Sequence, residues 1–148
     1  SMTEPHPPHD RLGVFKQFED VPARRQLRQF ANVYEGRDVW SDYRATADLS
    51  ARMSEEWDLF ARRWKDHMDS RGRHHALAHP DDVEAWSAWL LDQFGVDRSY
   101  QHWNVIEGFY AWLMWHTAHR HTYNPFHLAA TDTTSQTYTI WSRKLEKA

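Results

Sequence analysis

The sequence predicts an all-α fold, a bundle of four to five helices preceded by an extra helical arm. Apolar residues recur at helical spacing in three successive stretches between Met53 and Leu113. Each stretch opens on a capping residue or proline and closes on a glycine or a turn. No alternating pattern runs longer than the ambiguous segment from Gln136 to Ile140, which speaks against strands.

Residues 1–10 are Pro, His and polar residues without periodicity, and disorder is expected there. A short helix should follow from Asp20, with Pro22 in its first turn. Leu27, Phe30, Ala31 and Tyr34 share one face of it, Arg24, Arg25 and Arg28 the other, and Gly36 ends it. Residues 37–49 show no clean period and read as irregular or partly helical, with Trp40, Tyr43 and Leu49 packing inward. The next helix carries Met53, Trp57, Phe60, Ala61, Trp64 and Met68 on its inner face. Ser50 or Ser54 caps it, and it runs to about Arg71 before Gly72. After a loop, Pro80 opens a helix whose first turn holds Asp81, Asp82 and Glu84 near the positive helix end. Val83, Trp86, Trp89, Leu90 and Phe94 form its inner face, and Gly95 ends it.

Ser99 is the expected cap of a long helix reaching about His119. Trp103, Ile106, Phe109, Tyr110 and Leu113 form its core stripe, widened by Val105 and Trp112. Gln101, Asn104, Gly108 and Ala111 lie opposite, and Trp115 projects away from the stripe. The segment from Thr122 to Pro125 stops this helix. A Thr-rich linker around Thr131 to Thr134 then leads to a last short helix with Tyr138, Trp141 and Leu145 in register. The expected organisation is a tail and arm over residues 1–50, a helical bundle over 51–130, and a linker with a short helix over 131–148.

Composition narrows the function. The chain has 148 residues, the size of one domain, and nine Trp supply ample core surface. The absence of Cys excludes disulfides, thiolate nucleophiles and cysteine-ligated zinc. Apolar runs such as Phe109 to Trp115 fall far short of the roughly 20 residues of a membrane span. No secretory signal pattern is present, so an intracellular, cytoplasmic protein without membrane contact is expected. The formal charge of −3 runs against a basic nucleic-acid binder. Ser1 reads as a residue left in front of a native start at Met2.

The run from Ser99 to Leu113 (SYQHWNVIEGFYAWL) and the Asn124-Pro125-Phe126 stop carry a resemblance. With the helices expected from Trp57 to Arg71 and from Asp81 to Phe94, they resemble the core-binding domain of tyrosine recombinases and phage integrases. The likeness spans roughly half the chain. It implies a SAM-like orthogonal helical bundle that clamps double-stranded DNA for integration or recombination. It also implies self-association on DNA in the full-length protein, and a catalytic domain beyond Ala148. The family commonly has Thr or Ser with a basic residue in the first turns of the long helix, where this chain has Tyr100, Gln101 and His102.

On this resemblance, Arg62, Arg63 and Lys65 on the outer face of the first bundle helix would contact phosphates, as would Arg71, Arg73 and Arg98. Gln101 and Asn104 would offer amides to adenine edges, and the helix start at Ser99 would receive a phosphate. No catalytic residue and no cofactor is expected in this segment. Residues His74, His75 and His79, and His116, His119 and His121, form two groups without a zinc-ligand pattern, so no metal is assigned. Tyr138 lies in apolar register with Trp141 and reads as packing rather than as a nucleophile. The rival reading is a stand-alone all-helical protein-interaction or regulatory domain.

Overall fold

The computed structural model describes residues 15–116 and 118–146, and among them the chain is helical, without a strand. Seven α-helices are present among the described residues: α1 (Ala31–Tyr34), α2 (Val39–Arg44), α3 (Ala51–Ser70), α4 (Pro80–Gln93), α5 (Val96–Trp115), α6 (Pro125–Ala130) and α7 (Gln136–Glu146). None is long and apolar enough to cross a membrane. The expected disorder over residues 1–10 lies outside the described residues.

The helix expected from Asp20 is instead a series of 3₁₀ turns, Phe18–Asp20, Ala23–Arg25 and Leu27–Phe30, leading into α1. Val21 and Gln26 adopt extended backbone between the turns, which breaks the hydrogen-bond ladder a continuous helix needs. Leu27 and Tyr34 are nevertheless buried and Phe30 half-buried, whereas Ala31, expected on the same face, is exposed because the 3₁₀ turns change the register. The aperiodic stretch contains α2, capped by the Asp38 carboxylate on the Ser41 N–H, with Val39 and Trp40 buried. Phe15, Val21, Leu27, Tyr34, Val39 and Trp40 join the same core as the later helices.

Ser50 caps α3 by accepting from Met53 N, and Phe60, Ala61, Trp64 and Met68 are buried. Met53, expected inside, is exposed because it lies in the first turn, beyond the neighbouring helices. Gly72 takes a φ of 72°, the left-handed region that lets the chain reverse. A capping box opens α4. His79 Nδ1 accepts from Asp81 N, and Asp82 accepts from His79 N at 2.8 Å. Val83, Trp86 and Leu90 face the core, whereas Trp89 turns outward and meets Phe94 edge-on.

The central helix α5 touches α2, α3, α4, α6 and α7. Gly95 is its N-cap, one turn before the expected Ser99. The expected core stripe Trp103, Ile106, Phe109, Tyr110 and Leu113 is completely buried. The helix stops at Trp115, because His116 is extended and its ring Nδ1 accepts from Ala118 N in a local turn. Asn124-Pro125-Phe126 not only halts the preceding segment but starts α6, with Asn124 Oδ1 accepting from Phe126 N and Pro125 at the first position. Trp64 meets Trp86 at 4.9 Å, and Trp103 bridges Phe126 and Trp141 at 5.5 and 5.6 Å, so tryptophans join α3, α4, α5, α6 and α7.

Two polar devices lock α7. The Glu84 carboxylate of α4 accepts from Gln136 N, Thr137 N and Thr137 Oγ1 at 2.7–2.9 Å, capping a helix far away in sequence. Buried Glu107 meets His127 Nε2 at 3.1 Å and Lys144 Nζ at 3.4 Å, joining α5, α6 and α7.

Candidate nucleic-acid interface

The nine residues implied as DNA contacts do not form one face. Arg63 turns inward, its Nη1 donating to His102 Nε2 at 2.8 Å and its guanidinium 5.0 Å from the Phe94 ring. Lys65 pairs with Asp38, the cap of α2, at 2.8 Å. Arg98 makes a bidentate pair with Glu56 at 2.9 and 2.8 Å, donates to Gln101 Oε1 and lies over Phe60. These three cations hold helices together. Ser99 is fully buried within α5, and its N–H already donates to Gly95 O, so no free helix end exists there to receive a phosphate. Arg62, Gln101 and Asn104 are exposed, with Arg62 on α3 and the two amides on the outer face of α5.

Arg71 and Arg73 behave differently. The turn at Gly72 brings them to the same carboxylate. Arg71 Nε donates to Asp82 Oδ1 at 2.5 Å, and Arg73 Nε lies 3.0 Å from Oδ2. The Asp82 side chain is 2% exposed, while those of Arg71 and Arg73 are 38% and 36% exposed. Each arginine uses its Nε on this anchor, and neither has a partner for its Nη groups among the described residues. The result is two guanidiniums held from behind with their outer donors facing water, the arrangement a phosphate contact requires.

Other cations gather at the same end of the bundle. Exposed Arg28 lines one crevice with Arg73, His79 and Tyr123. His74, next to Arg73, donates from Nε2 to the Arg37 carbonyl at 2.8 Å. The Arg37 guanidinium lies 5.0 Å from the Tyr34 ring and lines a cavity with Arg120. Asp42, Asp69 and Asp81 also reach this end and temper its charge.

Histidines rivet the end together in their neutral form. His75 Nε2 accepts from Val39 N and Trp40 N at 3.1 and 3.2 Å, capping α2, which requires an unprotonated nitrogen. Burial, reinforced by His74 and Lys65, lowers the His75 pKa to about 3. His121 donates to Ala76 O at 2.7 Å, and burial lowers its pKa to about 4. The Tyr34 hydroxyl bonds His119 Nδ1 at 2.5 Å, and burial raises the phenol pKa although Arg37 and Arg120 oppose it. Among the described residues no group of His, Asp and Glu is arranged to hold a metal ion.

Reasoning from the sequence therefore placed Arg71 and Arg73 at this end but missed Arg37 and Arg120. They come from segments that share no periodicity with the α3–α4 turn. The sequence groups Arg24, Arg25 and Arg28, and only the fold brings Arg28 beside Arg73. Comparison of the chain with protein-family models, curated proteins and solved structures finds no match.

Proposed function

We propose that this chain is the DNA-binding, core-binding domain of a site-specific tyrosine recombinase, gripping duplex DNA for an integration or recombination reaction catalysed by another domain of the same protein. The carrying observation is the pair Arg71 and Arg73, fixed through Nε by buried Asp82, with no partner for their outer guanidinium edges among the described residues. Arg28 beside them and Arg37 beyond His74 extend the positive edge. Phosphate contacts of this kind position a protein on duplex without reading sequence. Gln101 and Asn104 on the outer face of α5 supply amides suited to adenine edges. The resemblance carried by Ser99 to Leu113 and Asn124-Pro125-Phe126 is the second ground for this reading.

The test is fluorescence anisotropy with labelled duplex over a range of salt. Binding should weaken steeply as salt rises. The double variant Arg71→Ala with Arg73→Ala should make the logarithmic salt slope shallower by about 2, one unit per lost phosphate contact. Duplex binding that is absent or indifferent to salt refutes the proposal. A protein-interaction domain would then be the better reading, favoured by the exposed Trp89 and Val96 beside half-buried Phe94 at the α4–α5 turn.

A further inference from the structure

Trp115, at the C-terminal end of α5, is 85% exposed, whereas Trp64, Trp86, Trp103 and Trp141 are fully buried. It lies one helical turn beyond Trp112, on the same side of the helix. Trp112 packs on His116 and His119 at 4.7 and 5.4 Å. His119 in turn stacks on Tyr34, with the rings 5.7 Å apart and 21° from parallel. Beyond Tyr34, Arg37 and Arg120 flank a cavity of about 230 Å³ floored by Phe30, Val33 and Tyr34. Neither guanidinium has an ion-pair partner among the described residues. A ladder of aromatic rings thus leads from the helical turn that carries the exposed Trp115 to two cations without an ion-pair partner among the described residues.

We propose that this surface binds a short unpaired stretch of a DNA strand, with one base stacked on Trp115 and a phosphate farther along the strand at Arg37 and Arg120. The proposal rests on the DNA reading above and adds to it a contact distinct from the duplex-holding pair Arg71 and Arg73. Every base has a π face, so an exposed indole prefers unpaired to paired bases without regard to sequence. Charge complementarity selects this occupant. An apolar protein partner would stack on the indole and bring no negative charge to the two guanidiniums, whereas a single strand supplies both a base and a phosphate.

The experiment compares a labelled oligothymidine with a blunt duplex by anisotropy. Trp115→Ala should weaken oligothymidine binding about tenfold, the scale of one stacked base, and leave duplex affinity unchanged. Trp115→Phe should retain most of the binding. Arg37→Ala with Arg120→Ala should also weaken it about tenfold and flatten its salt dependence. Unchanged oligothymidine affinity in Trp115→Ala overturns the proposal. So does a change in that variant's sedimentation without a change in oligothymidine affinity, which would mark Trp115 as a protein contact. If the protein binds oligothymidine through Trp115 but not duplex, the duplex-clamp reading fails and this site stands. If it binds duplex through Arg71 and Arg73 while Trp115→Ala changes nothing, only this site fails.

Discussion

Replacing Asp82 by asparagine removes one negative charge and leaves the side-chain shape almost unchanged. In the native chain that carboxylate caps α4 through His79 N and anchors Arg71 and Arg73. The cap, worth about 1 kcal/mol, survives, because the asparagine oxygen can still accept from His79 N. The two ion pairs join a buried carboxylate to partly exposed guanidiniums, so solvent screening limits each to about 0.5–1 kcal/mol. The variant should lose about 1–2 kcal/mol, which lowers Tm by about 2–8 °C for a chain of this size. Two effects then compete in duplex binding. Removing a negative charge about 8 Å from a phosphate favours binding by about 1 kcal/mol at an effective dielectric near 40. Freeing two arginines restores rotamer entropy of about 2 kcal/mol each, much of which must be lost again on binding. The second effect is larger, so Asp82→Asn should bind duplex several-fold more weakly despite its more positive charge. Urea denaturation and anisotropy on the same sample measure both quantities. A variant within about 0.5 kcal/mol of the native stability, or one that binds duplex more tightly, refutes this account of the anchor.

Acid should destabilise the fold through its neutral histidines. Burial holds His75, His102 and His121 at about 3, 4 and 4, below the ordinary value, so the unfolded chain takes up their protons first. Their contribution is complete above about pH 6.5 and is lost as pH falls toward 4, with a slope of up to about 4 kcal/mol per pH unit from the three together. Urea titrations at pH 7 and pH 5 should therefore differ clearly, and equal midpoints would refute the neutral assignment. Glu84→Ala removes three hydrogen bonds from the start of α7 and should cost about 2–3 kcal/mol, with Glu84→Gln recovering part of it; denaturation curves decide. Gly72→Ala meets no steric obstacle but forces alanine to a φ of 72°, so a loss of about 1–2 kcal/mol is expected by thermal unfolding. A neutral result would mean that the turn relaxes.

The three long helices were legible because their signals are local. An apolar residue every three or four positions can bury one face whatever lies opposite, and Trp64, Trp86 and Trp103 followed that rule. Boundaries were less legible. Ser99 looks like a better cap than Gly95, yet α5 begins a turn earlier and buries the serine. The N-terminal segment buries Leu27 and Tyr34 through 3₁₀ turns and leaves Ala31 outside, since burial constrains side-chain position more tightly than backbone type.

By itself the sequence determined the helical class, the inner faces of α3, α4 and α5, and the supply of arginines. Only the tertiary structure decided which cations are absorbed into packing. Arg63, Lys65 and Arg98 find their partners 39, 27 and 42 residues away, in His102, Asp38 and Glu56, and are absorbed into packing. Arg71 and Arg73 converge on Asp82 across a turn, while Arg37 and Arg120 meet beside Tyr34 from opposite ends of the chain. The physical reason is that an apolar stripe is buried by any adequate neighbour, whereas a charge is satisfied only by the particular group that folding brings within a few ångströms.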